Sequence, residues 1–148
     1  MNTTETSTIR QEIAIAAPAA KVFAALTTPE QVMQWWGDED SYRSTKMEQD
    51  FRVGGAWRTT GNSKNGESYS VKGTYRVIEP PHALEYTWVH DWGGVNDKTE
   101  TIVRFDLEER DGVTLVRLTH SGFTNQESKD DHESGWATVL GWLRDYVQ

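Results

Sequence analysis

Residues 128–147, SKDDHESGWATVLGWLRDYV, carry the one long helical pattern in the chain, and the rest of the sequence is read outward from them. His132, Trp136, Leu140, Leu143 and Val147 are separated by steps of 4, 4, 3 and 4, which places all five on one stripe of an α-helix. Val139 and Tyr146 widen the stripe, while Lys129, Asp130, Glu133, Thr138 and Arg144 form a polar face. Such a helix must lie on an apolar surface. Gly135 and Gly141 sit inside it although each costs about 1 kcal/mol relative to Ala in a helix interior, which predicts a close approach by another element at both. Trp142 belongs cleanly to neither face and is expected to cover a flank.

The surface under this helix has to come from the preceding residues, and they read mostly as strand. Residues 8–16 alternate, with Ile9, Gln11, Ile13 and Ile15 on one side and Arg10 and Glu12 on the other. The period then changes. Pro18 suits the first position of a helix, and Val22, Phe23 and Leu26 recur at helical spacing. Thr28-Pro29-Glu30-Gln31 supplies a capping box for a second short helix ending near Trp36. From about Thr45 to Ser121 every strand-like run ends in a turn signal. The expected strands are 46–51, 56–60, 69–78, 83–90, 100–108 and 113–120, separated by Gly54-Gly55, Asn65-Gly66, Pro80-Pro81, a longer Gly-rich loop from Asp91 to Lys98, and Asp111-Gly112. With the first strand this makes an antiparallel sheet of about seven strands, large enough to curl. Its alternation turns Leu84, Tyr86 and Trp88, then Val103, Phe105 and Leu107, then Val116, Leu118 and His120 inward.

A chain of 148 residues is expected to form a single domain at 9–148, preceded by a disordered or extended N-terminus at 1–8. There is no Cys, which excludes disulfides, thiolate metal sites and a Cys nucleophile. The polar, Thr-rich start has no signal-peptide pattern and no apolar run has spanning length, so a cytoplasmic protein without membrane insertion is expected. A net charge of −8 opposes nucleic-acid binding, which needs clustered Lys and Arg. Sixteen aromatics, seven of them Trp, are the unusual feature, and such residues build cavities for flat or greasy ligands.

The order of strand, two short helices, six strands and long helix resembles the α+β helix-grip fold of the START-related SRPBCC superfamily. Several motifs narrow the resemblance. They are Ala17-Pro18, Val22-Phe23, Leu26-Thr27, Pro29-Glu30, Trp35-Trp36-Gly37, Gly54-Gly55-Ala56-Trp57, Gly73, Glu79-Pro80-Pro81, Leu84 to Trp88, Leu118 to Phe123, His132 and Gly135-Trp136. Together they are similar to the subgroup of homologues of the activator of a heat-shock-protein ATPase. The resemblance implies a deep, largely apolar cavity between curved sheet and C-terminal helix. It does not imply one reaction, since superfamily members include lipid carriers, hormone sensors, polyketide cyclases and cochaperone domains.

Within that frame the candidate ligand-binding residues are Trp36, Trp57, Tyr75, Tyr86, Trp88, Phe105, Leu118, His120, Phe123, His132, Trp136 and Leu140. Strand alternation puts His120 on the inner face, and His132 lies one turn before Trp136 on the inward stripe. An acid or base acting on a bound carbonyl or phenol would be one of these two. The favoured reading is that each is a buried histidine holding the last strand to the helix. A metal site from His90, His120, His132 and a carboxylate matches no standard ligand spacing. The acidic run Glu127, Asp130, Asp131 and Glu133 is accounted for by the helix dipole. No motif calls for a cofactor: Gly54-Gly55 and Gly93-Gly94 lack the spacing of phosphate loops, and no Gly-x-Ser-x-Gly nucleophile motif occurs. Of Trp35 and Trp36, about 100 degrees apart on a helix, only one can face the interior fully. Three functions follow: binding of a small hydrophobic or aromatic molecule, a cyclase, dehydratase or hydrolase using a cavity His, and a module that binds a chaperone ATPase. Binding of a small molecule is favoured, and pairing into a homodimer is compatible with it.

Overall fold

A computed structural model describes residues 8–38, 42–91 and 99–148. The expected N-terminal extension and most of the loop after Asp91, with Gly93-Gly94, fall outside the described residues. The elements are β1 (Thr8–Ile15), α1 (Ala19–Thr27), α2 (Pro29–Trp35), β2 (Tyr42–Gln49), β3 (Ala56–Ser63), β4 (Ser68–Glu79), β5 (Ala83–Asp91), β6 (Thr101–Arg110), β7 (Val113–Ser121) and α3 (Gln126–Val147). The strands form one antiparallel sheet in the order β1-β7-β6-β5-β4-β3-β2, with β1 closing onto β7 and every other pairing made between neighbours in the chain. Register shifts in β2, between Ser44 and Lys46, and in β4, between Tyr75 and Val77, mark local irregularities that bend and twist the strands. The architecture is the helix-grip α+β fold, a sheet wrapped around α3.

The inward positions read from the alternation are all buried, from Leu84, Tyr86 and Trp88 to Val116, Leu118 and His120. On α3 the buried stripe is Ser128, His132, Trp136, Val139, Leu140, Leu143 and Val147. Each of its large apolar side chains contributes about 1.5–3 kcal/mol by leaving water. Trp142 is half-buried against the flank of the core. The helix packs chiefly on β1, where the Gln11 amide donates to the Glu133 carbonyl at 2.7 Å.

Several local expectations are corrected. Helix α3 begins at Gln126, because the Asn125 side chain accepts the Ser128 N–H at 3.1 Å and supplies the cap. Tyr146 does not widen the stripe; it is exposed and its hydroxyl donates to Gln31 Oε1. That contact also engages the residue expected to complete the capping box of α2, and Thr28 caps that helix with no side-chain bond. Pro18 is the N-cap of α1, one residue before the helix, and Glu109 of β6 accepts the Ala19 N–H at 2.7 Å. Strand β2 ends at Gln49, since a tight turn at 50–55 carries Phe51 to the surface. No element approaches Gly135 or Gly141: a Cβ at either would meet nothing within 4 Å.

Candidate functional site

Sheet and α3 do not close on each other everywhere. Between them lies a cavity of about 380 Å³, within the range of small-molecule sites. Its inner wall is aromatic because β3, β4 and β5 point every second residue inward: Trp57 from β3, Tyr75 from β4, Tyr86 and Trp88 from β5. Trp136 and His132 of α3 face them, and Trp36 closes the side at the end of α2. The rings form one connected set. Trp88 lies 5.4 Å from Trp136, 5.9 Å from Trp57 and 6.3 Å from Trp36, and Trp57 meets Tyr86 edge-on at 5.1 Å. Aliphatic cover comes from Leu26, Val32, Met47, Val71, Leu84 and Val139. Glu67, Ser68 and Asp131 are lining residues that are also exposed, so the mouth lies between the β3–β4 hairpin and the first turns of α3.

Of the candidate residues named from sequence, Trp36, Trp57, Tyr75, Tyr86, Trp88, His132 and Trp136 line this space. Phe105, Leu118, His120, Phe123 and Leu140 are buried but stand outside the wall, in the layer packed behind it. The physical reason is local filling. Trp136 packs on Phe105 at 5.9 Å and His120 packs on Phe123 at 4.5 Å, which leaves no space at that end. Trp36 is the member of the Trp pair that faces the cavity, while Trp35 is buried beneath it with its indole N–H on the Ala25 carbonyl at 2.9 Å. Sequence reading missed Ser44, Met47, Tyr69, Glu67 and Gly135 as lining residues. Alternation along β2 and β4 carries the signal for Met47 and Tyr69; Gly135 had only its unexplained place in the helix.

The histidines are joined by a chain of hydrogen bonds that fixes their protonation. The Trp136 indole donates to His120 Nδ1 at 2.9 Å, and the Thr101 hydroxyl donates to the Trp88 carbonyl at 3.1 Å. The 2.6 Å contact between Thr101 Oγ1 and His120 Nε2 must therefore be given by His120, as the Nε2–H tautomer. By the same logic the Trp88 indole donates to His132 Nε2 at 3.2 Å, so His132 carries its proton on Nδ1 and donates to the Ser128 carbonyl at 2.8 Å. Both rings are neutral with both nitrogens engaged. Burial, first, and then the neighbouring His132 and His90 hold the His120 pKa well below the ordinary histidine value. A cationic His120 would turn an N–H toward the Trp136 N–H. Among the described residues no group of three or more His, Asp or Glu is placed to hold a metal ion.

Among the described residues two polar atoms of the aromatic wall lack a protein partner. One is Trp57 Nε1, which is fully enclosed and sits over Gly73, where a Cβ would come within 2.7 Å of it. The other is the Tyr86 hydroxyl. By contrast Tyr75 donates to Gln49 Oε1 at 2.6 Å, and Ser44 is bonded to the Tyr69 hydroxyl. Burial raises the pKa of Tyr75 and Tyr86 well above the ordinary tyrosine value, so both are neutral phenols.

A curved sheet that grips a long C-terminal helix over an aromatic cavity is the construction of the SRPBCC superfamily. The family described as "Activator of Hsp90 ATPase homolog 1-like protein" matches residues 16–148, and the chain belongs to it. Among solved structures, a protein from Chromobacterium violaceum is similar with a TM-score of 0.84 at 22% identity, over 95% of this chain and 97% of that one. A protein of the same family from Silicibacter pomeroyi has a TM-score of 0.80 at 25% identity, over 94% of this chain and 96% of its own. DynU16, from the dynemicin biosynthetic locus, has a TM-score of 0.73 at 20% identity, over 95% of this chain but 46% of its own. No curated protein matches the chain. Among the described residues no helix is long and apolar enough to cross a membrane.

Proposed function

We propose that this protein, acting in the cytoplasm, binds a small hydrophobic or aromatic molecule in the cavity between sheet and α3, without chemistry of its own. The observation that carries the reading is the open 380 Å³ space walled by four Trp and three Tyr in the middle of an otherwise packed interior. Interiors are close-packed, and an aromatic-lined space with a mouth is what a ligand site requires. The neutral, doubly bonded histidines support binding over acid–base catalysis, because neither ring has a nitrogen to offer a substrate. The family takes its name from a homologue of a chaperone ATPase activator, which keeps a protein partner as the competing reading.

Titration with planar aromatic and fatty compounds tests the proposal through tryptophan emission. Trp36, Trp57, Trp88 and Trp136 all line the cavity, so a ligand should quench or blue-shift the emission with saturation. Because apolar burial drives such binding, added salt should change it little. If chemically varied apolar compounds leave the emission unchanged, the ligand reading fails and a protein partner takes its place.

A further inference from the structure

We infer that the Tyr86 hydroxyl is the polar anchor of the cavity, and that the ligand is an uncharged planar molecule presenting one oxygen to it. This rests on the ligand-binding reading and adds what the ligand must look like. Tyr86 is only 8% exposed, and it sits inward of Trp88 on the same face of β5, away from the mouth at Glu67 and Asp131. Among the described residues its hydroxyl has no hydrogen-bond partner, although it shares the wall with Tyr75, Trp88 and Trp136, whose polar atoms are all taken. Trp57 Nε1 is unpartnered too, but it is shut in against Gly73 and a ligand does not reach it. Among the described residues that makes the Tyr86 hydroxyl the unpartnered polar atom of the aromatic wall that a ligand can reach.

The Tyr86 hydroxyl is not fully enclosed, so it opens onto the cavity, and a ligand oxygen that reaches it gains a hydrogen bond inside a largely apolar space. Kept neutral by burial, the phenol both donates and accepts, so it takes a carbonyl, ether or hydroxyl oxygen. The charge of the ligand follows from the rest of the lining. Among the described residues no Lys or Arg lines the cavity, whereas Glu67 and Asp131 do, and both ring nitrogens of His132 are hydrogen-bonded. A carboxylate entering here would lose its water without finding a countercharge and would pass two acidic groups on the way. Fatty acids and aromatic acids are therefore poor fits. Planarity follows from the connected Trp faces, which offer stacking area to a flat ring system.

Four probes differing in one substituent test this by calorimetry on the full chain: naphthalene, 2-naphthol, 2-methoxynaphthalene and 2-naphthoate. The expected order puts 2-naphthol roughly tenfold tighter than naphthalene, with 2-methoxynaphthalene close to the naphthol and 2-naphthoate the weakest. Tyr86→Phe should erase the preference for naphthol over naphthalene and leave naphthalene affinity within about twofold, since only the hydroxyl is removed. Equal binding of naphthalene and 2-naphthol by the wild type, or a preference that survives Tyr86→Phe, overturns the anchor while the cavity reading stands. A tightest-binding 2-naphthoate overturns the uncharged ligand. If none of the four binds, the cavity reading itself fails and the anchor with it. Should Tyr86→Phe not fold, the wild-type order of the four probes still decides.

Discussion

The interior has two halves built from the same kinds of residue, and they behave differently. At one end His120, Phe123, Phe105 and Trp136 are packed ring on ring, and the polar atoms of His120, Thr101 and Trp136 are matched donor to acceptor. At the other end Trp57, Tyr86, Tyr75 and Trp36 surround empty volume, and the Tyr86 hydroxyl and Trp57 N–H have no partner among the described residues. Aromatic composition therefore does not separate core from site here. Filling does: the packed half holds strand to helix, and the open half is available to a ligand.

The strongest way to break the comparison is to open the closed half. Trp136 belongs to both halves, through its N–H on His120 and its ring in the cavity wall. Trp136→Ala should cost about 3–5 kcal/mol, read as a lower denaturation midpoint, and it should strip the His120 network of a donor. An unchanged midpoint would mean that α3 is not the central core element.

Acid should attack the same network next. His120 is held neutral in the folded state, with its pKa below the 6.5 of an ordinary histidine, so the unfolded chain takes up a proton first as pH falls. Stability is fully present above about pH 6.5 and is lost as pH falls from there toward the depressed folded-state value, by up to about 1.4 kcal/mol per pH unit for one proton. Denaturation midpoints between pH 7.5 and 5 measure this. His120→Gln should flatten the slope, and a slope unaffected by that change would detach His120 from it.

Filling the open half should act on binding and spare the fold. Gly135 lines the cavity, and its Cβ position meets nothing within 4 Å. Gly135→Leu should place a side chain where the ligand goes and weaken binding of 2-naphthol at least tenfold, with the midpoint held or raised because a helix-interior Gly is replaced. Lost binding together with lost stability would show that the space is not preformed.

The smallest effect sharpens the contrast on the same helix. Gly141 is equally uncrowded but lies outside the cavity lining, so Gly141→Ala should add about 1 kcal/mol of stability and leave ligand binding unchanged. Thermal and calorimetric measurements on the pair of Gly variants separate room kept for a ligand from room that is merely unused.

The sequence by itself determined the element order, the inward faces of β5, β6 and β7 and most of the buried stripe of α3. Periods of 2 and 3.6 are local consequences of backbone geometry and show directly in residue spacing. It also placed Trp57, Tyr75, Tyr86, Trp88, His132 and Trp136 on inner faces. Only the tertiary structure decided which inward residues meet one another and which meet space. His120 and Tyr86 share the same alternating pattern, yet the 16-residue separation of His120 and Trp136 is closed by a 2.9 Å bond, while Tyr86 is left facing the cavity. The caps tell the same story: Glu109 reaches Ala19 across 90 residues, and Gln31 turns from its expected local bond to Tyr146. Pairings of that kind depend on the curvature of the whole sheet and the seat of α3 upon it, neither of which is written in the spacing of neighbouring residues.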